Sequence, residues 1–383
     1  MLNRRTLRIK VMQSLFAYEQ CSEADYELAK EYLVQKFSPD LNSMEVQDKE
    51  LLKSRQQAAL ILIDRKHHGN KPDNIPDTIN NSSDPVVEQE VSNALTQYAR
   101  AIEADLRFLK KETVSGISDL EDDYHSILNL FPALATVAAA EKRIDHKNFT
   151  THSVIKAIAG DKELSGASRT LRTGWDSSMD LVRSWFREII RTDEKYQDFI
   201  ARSKPSLDEE LGIIRHLLRK LVLGDSVIGS YFESKHLRWA EDKEIIRGLV
   251  EKTLKTIRGD QGFQVQKLSL EWEEDKFFVE KLFETAARLP ERFHKLIAAN
   301  TVNWEVERLP LTDRIIIQMA ITEFITFPSV PIKVTINEYI ELAKDYSTPK
   351  SRQFINGILD VLARELKKSG DLKKTGRGLI DNK

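Results

Sequence analysis

The chain has 383 residues, 41% hydrophobic and 31% charged, with a formal net charge of −2. A near-neutral chain does not bind nucleic acid through its overall field, so any such role must come from local patches. Glycine (15) and proline (11) are scarce, which argues for helices and against sandwiches or barrels, and a single cysteine, Cys21, excludes an internal disulfide framework.

The first predicted element is a helix over about 3–20. Leu7, Val11, Leu15 and Tyr18 recur on one face at 3.6 residues per turn. Asn3 is placed to cap it. Arg8, Lys10, Gln13 and Ser14 interrupt the apolar runs, so a secretory signal is not expected. Arg4, Arg5 and Arg8 stand where the helix dipole is already positive, each unfavourable by a few tenths of a kcal/mol. Two readings stand: a slightly frustrated, solvated helix end, or an end that meets a phosphate, which reverses the sign.

Helical pattern continues in "YELAKEYLVQKF", which stops at Ser38-Pro39, and in "DKELLKSRQQAALILIDRKHH". Residues 69–85, "GNKPDNIPDTINNSSDP", carry three prolines and no aromatic residue and are expected to form a flexible loop. Helical pattern resumes over 86–111, and a further helix is expected after Pro132. A polar linker is expected near 160–178, and helices again from 178 to about 257. No repeat of fixed period and no strand-rich region is present.

In the last third, "LEWEEDKFFVEKLFETAARLPERFHKLIAAN" predicts two helices around a turn at Leu289-Pro290. The almost wholly apolar run Ile315 to Ile321 predicts a helix buried on most sides. Pro328 and Pro331 fence a loop. Thr335 and Glu338 have capping-box spacing, and Thr348-Pro349 reads as another helix start. Gly357, inside the last helix, costs roughly 1 kcal/mol against alanine, which a close helix approach would offset. Asn337 and Asn356, polar within apolar helices, are expected to be structural, with hydrogen-bonded partners where buried. The tail 367–383 carries a basic surplus and is expected to be disordered.

Chemistry-bearing motifs are absent. There is no Gly-rich phosphate loop, GxSxG, HExxH or CxxC, and the adjacent pair His67-His68 points its rings about 100° apart on a helix. No metal, cofactor or catalytic residue is expected. No run approaches the ~20 apolar residues of a membrane helix. A cytoplasmic protein with no membrane partner is expected.

The segment from Asn300 to Glu365 resembles the C-terminal domain of the NusB transcription antitermination family. The likeness rests on Trp304, Arg308, Leu309, Pro310, Asp313 and Arg314, on Glu323-Phe324, on "VPIKVTINEYIELAK" (330–344) and on "FINGILD" (354–360). "RRTLR" followed by "SLFAYEQ" also looks like the family's first helix. The resemblance covers about 1–20 and 270–366. It implies an all-α fold of NusB-like helical bundles, here with a large additional helical region. The expected division is a first helix at 1–20, a helical insertion at 21–270, a C-terminal helical domain at 271–366, and the tail.

The resemblance also implies binding of boxA-type single-stranded RNA in ribosomal RNA leader transcripts. The implied partners are the ribosomal protein NusE and the RNA polymerase antitermination complex. On that reading Arg4, Arg5 and Arg8 contact RNA phosphates, and Lys350, Arg352 and Phe354 supply a second basic and aromatic helix start. Phe354 is equally a core position, in register with Ile358 and Leu362. Where members often carry an acidic residue four before this phenylalanine, this chain has Lys350, which implies greater non-specific affinity. A helical protein–protein adaptor working through 21–270, with little RNA affinity, is the competing expectation.

Overall fold

The computed structural model describes residues 2–42, 44, 46–68, 84–170, 173–236, 238–257, 262–300 and 309–382. All regular elements among them are helical. In chain order they are α1 (Arg4–Lys36), α2 (Lys49–His68), α3 (Pro85–Ala140), α4 (Lys147–Thr150), α5 (Ser153–Gly160), α6 (Lys162–Thr170), α7 (Met179–Trp185) and α8 (Glu194–Ile200). Then come α9 (Leu207–His216), α10 (Ser226–Lys235), α11 (Trp239–Thr256), α12 (Trp272–Ala287), α13 (Glu291–Ala299), α14 (Leu311–Thr326), α15 (Ile332–Tyr346) and α16 (Pro349–Ser369). No described helix is long and apolar enough to cross a membrane.

The chain forms two compact units. One holds Met1–Thr6 and Val114–Lys276, the other Leu7–Thr113 and Phe277–Lys383. This differs from the expected single insertion over 21–270: residues 21–113 share a unit with the C-terminal helices.

In the unit of 7–113 and 277–383, the α1 stripe Leu7, Val11, Leu15 and Tyr18 is buried, as its spacing requires. Farther along, Tyr26, Ala29, Leu33 and Phe37 pack with Ala59 and Ile63 of α2 and Val87, Val91 and Ala94 of α3. The His67 ring stacks on Tyr26 at 4.0 Å. The expected loop 69–85 lies outside the described residues except for Asp84 and Pro85, where Asp84 accepts from the Val86 N–H at 2.9 Å.

α14 is buried on nearly all sides, from Ile315 through Phe324. Gln318 donates to the Ala286 carbonyl at 2.6 Å and Thr322 to the Gln318 carbonyl at 2.8 Å. α15 starts behind Pro331, three residues before the expected cap, so Thr335 and Glu338 lie inside the helix and serve other partners. α16 starts as read: Thr348 accepts from the Ser351 N–H at 3.2 Å and Pro349 occupies the first turn. Gly357 meets nothing within 4 Å of where a Cβ would stand, so no close helix approach explains it.

The tail is ordered where disorder was expected. Gly370 closes α16 at φ 79°. Leu372 is buried, and the Thr375 N–H donates to the Pro328 carbonyl at 3.0 Å. A Cβ at Gly378 would stand 2.1 Å from that carbonyl oxygen, so only glycine permits this approach.

In the unit of 1–6 and 114–276, α3 runs straight through Pro132 rather than restarting after it. The lost hydrogen bond is outweighed by the burial of Leu128, Leu130, Phe131 and Leu134 around it. Part of the expected polar linker is helical, as α6, and Trp175 beyond it is buried. The long helical runs of the sequence are broken by caps: Asp193 starts α8, a Ser206–Glu209 capping box starts α9, and Asp225 starts α10. Phe232 stacks on Trp239 at 4.4 Å inside this core.

Candidate nucleic-acid interface

The first helix begins as its sequence demands. Asn3 Oδ1 accepts from the Thr6 N–H at 2.8 Å. Arg4 reaches Glu274 and Asp275, each at 3.5 Å, at the acidic first turn of α12. Its awkward position at a helix N-terminus is thus eased from within the protein. Ion pairs this long each contribute little to stability. Arg5 is half-buried in the same unit.

Arg8 is a correction to the expected phosphate contacts. Its side chain is 3% exposed, and it donates from Nε and Nη2 to both carboxylate oxygens of Glu323, each at 2.7 Å. Glu338 stands 3.5 Å from its third nitrogen, and the guanidinium lies over the Phe278 and Tyr339 rings. Thr335 Oγ1 and the Tyr339 hydroxyl, each at 3.0 Å, complete the shell of Glu323. Burial alone would lower the Arg8 pKa, but the hydrogen bonds and charge of Glu323 outweigh it and hold the cation above its ordinary range. Burial first, then the charge of Glu323, pushes the Tyr339 phenol well up. Arg8 therefore pins α1 to α14 and α15 and has no face to offer a ligand.

Lys350 and Arg352 are exposed in the first turn of α16. Neither enters an ion pair among the described residues. Phe354 is half-buried, at the edge of the apolar face formed by Ile355, Ile358, Leu359 and Leu362.

Beside this stripe a groove of about 600 Å³ runs between α15 and α16, lined by Asn337, Ile340, Glu341, Lys344, Pro349, Arg352, Gln353 and Asn356. Asn337 and Asn356 are exposed, not buried. Sequence reasoning missed this groove, and it missed Glu323, Thr335 and Tyr339 as the anchors of Arg8. Trp304 and Arg308 of the resemblance lie outside the described residues. Among the described residues, no group of three or more His, Cys, Asp or Glu side chains is arranged to hold a metal ion.

The NusB family model matches residues 240–364, starting within α11 and ending within α16. The transcription antitermination protein NusB of Salinibacter ruber is 44% identical over 103 residues, which are 27% of this chain and 64% of that protein. That of Chloroherpeton thalassium is 42% identical over 106 residues, 28% of this chain and 50% of the relative. That of Koribacter versatilis is 42% identical over 107 residues, 28% of this chain and 73% of the relative. The chain thus spans less than two thirds of the first two of these relatives. No solved structure matches it.

Proposed function

The chain belongs to the NusB family, and on that premise we propose that it is a non-catalytic transcription antitermination factor. It binds boxA-type single-stranded RNA of ribosomal RNA leader transcripts, with ribosomal protein NusE, as part of the RNA polymerase antitermination complex in the cytoplasm. The observation that carries the reading is the first two turns of α16. There two uncommitted cations and a half-exposed aromatic ring are set on a capped helix whose other face is locked in the core.

The chemistry follows from these side chains. Lys350 and Arg352 neutralise phosphates, which supplies affinity and register but little sequence choice. Phe354 offers a half-buried ring against which an unstacked base can stack. Arg4 and Arg5 are the remaining phosphate candidates. Arg8 acts through packing.

Salt dependence tests the reading. With two to four phosphates neutralised, log K against log[salt] should fall with a slope of about −1.5 to −3 for a single strand. Lys350→Ala/Arg352→Ala should weaken binding to every RNA and flatten the slope by about 1.4. A slope near zero, with the double variant binding RNA like the wild type, refutes the reading. NusE binding retained in that case would favour the adaptor.

A further inference from the structure

We propose that the groove between α15 and α16 is a base-reading subsite, in which Asn337, Gln353 and Asn356 distinguish the bases of a single RNA strand by their edges. The inference rests on the RNA-binding reading above and assigns to separate residues the sequence choice that the cations cannot supply.

Three observations carry it. The first is position. Asn337 comes from α15, and Gln353 and Asn356 come from α16, yet all three line one groove. On α16 the residues Pro349, Arg352, Gln353 and Asn356 form one stripe at helical spacing, adjoining the Lys350–Phe354 stripe. A strand held by Lys350 and Arg352 therefore passes the mouth of the groove.

The second observation is that these amides have no work inside the fold. All three are exposed, and none makes a side-chain hydrogen bond among the described residues. Asparagine within a helix is less favourable than alanine. Two of them on facing helices lower stability with no packing or capping return.

The third is chemistry. A primary amide presents a donor and an acceptor in one plane, the pattern that matches the hydrogen-bonding edge of a nucleobase. Unpaired RNA exposes those edges, and proteins that read its sequence bond to them. The groove is of ligand-pocket size, ample for an inserted base and far too small for a duplex. Its charges agree with this occupant. Lys344 is paired with Glu341 on its own helix, which leaves Arg352 as the uncommitted charge at the rim for the phosphate that accompanies the base.

The test uses the full chain with single-stranded RNA oligomers of equal length: one boxA-type sequence, the same strand with each base changed in turn, and oligouridine. Affinities are measured by fluorescence anisotropy at fixed salt for the wild type, Asn337→Ala, Gln353→Ala, Asn356→Ala and the phosphate control Lys350→Ala. The wild type should discriminate among the strands. Each amide variant should lose about 5- to 100-fold of discrimination at one or two base positions while binding oligouridine within about twofold of the wild type. Lys350→Ala should weaken all strands alike. Thermal melts guard against misfolding, since alanine at these exposed helical sites should hold or raise the midpoint.

Amide variants that weaken every RNA equally, or change none, overturn the subsite and leave the antitermination reading standing. Variants that lose NusE while keeping base discrimination make the groove a protein site and overturn the proposal as well. A wild type that binds none of the strands refutes the underlying reading and the subsite with it.

Discussion

Removing Arg8 should destabilise the fold rather than merely weaken RNA binding. Glu323 is fully buried and receives two hydrogen bonds from Arg8 at 2.7 Å, one from Thr335 and one from Tyr339, each at 3.0 Å. Its acceptor sites are filled, and its charge is balanced by one buried cation. Arg8→Ala leaves that carboxylate with two neutral donors and a void where the guanidinium lay over Phe278. Stripping one partner from a buried pair costs about 3–5 kcal/mol. Against a total domain stability of about 5–15 kcal/mol, that is a large share. Urea unfolding followed by far-ultraviolet circular dichroism should show the loss, and hydrogen exchange should place it in residues 7–113 and 277–383. Arg8→Met/Glu323→Leu, which removes both charges at once, should recover most of it, because an apolar pair needs no desolvation. If Arg8→Ala melts like the wild type yet binds RNA weakly, the assignment of Arg8 to the core is wrong and the arginine faces a phosphate.

Two further outcomes follow from the structure. Gly357→Ala should raise stability by about 0.8–1 kcal/mol, because the site is helical and a Cβ there meets open space. An unchanged or lower urea midpoint would reveal a neighbour that the described residues do not contain. Acid should withdraw the contribution of three buried histidines from the unit of 1–6 and 114–276. Burial lowers the pKa of His125, His146 and His152 below the ordinary 6.5, although nearby carboxylates partly oppose it. The unfolded chain takes these protons first, so their contribution is intact above pH 6.5 and is lost as pH falls through that value. His236 runs the other way. Its hydrogen bond from Nδ1 to Asp123 at 2.7 Å raises its pKa, so its contribution is present below 6.5 and fades as pH rises through the raised value. Burial also pushes the carboxyl of Asp122 up to about 6 and raises that of Glu121, and both act on the side of His236. The test is therefore comparative: between pH 7 and 5.5 the urea midpoint of His125→Leu should fall less, or rise more, than that of the wild type. A variant whose midpoint follows the wild type across that window contradicts the assignment.

Local signals in the sequence were legible where they depend on neighbours along the chain. The apolar run of α14 declared a central helix, and Thr348-Pro349 declared the start of α16. Asn3 declared the cap of α1. Signals that depend on distant partners misled. Thr335 and Glu338 have capping spacing by coincidence, because Pro331 already starts α15 and the two side chains turn to Glu323 and Arg8. Pro132 reads as a boundary, but tertiary burial overrides it. The grouping of 21–113 with the C-terminal helices leaves no periodic trace, since it arises from packing between segments more than 150 residues apart. One signal for Arg8 was available. Glu323 is the one carboxylate inside an otherwise apolar stretch of α14, and a buried carboxylate demands a cation. Arg8 sits in register with Val11, Met12 and Leu15, on the face of α1 that is buried.

Moving Arg8 into the core changes where sequence choice can arise. Three arginines at one helix tip would have made that tip the main phosphate site, with α16 as support. With Arg8 committed to Glu323 and Arg4 already near two carboxylates, the uncommitted cations of the candidate set are Lys350 and Arg352. A site with so few phosphate contacts has a shallow salt dependence and weak non-specific affinity. Its discrimination must then rest on groups that touch bases. Phe354 can stack any base, because every base has a π-face, so it cannot choose among them. The amides of the adjoining groove are the side chains at this surface with the donor–acceptor pattern to do so. Lys350 does not line that groove, so on the proposed reading it should raise affinity for all strands without erasing a preference set by the amides.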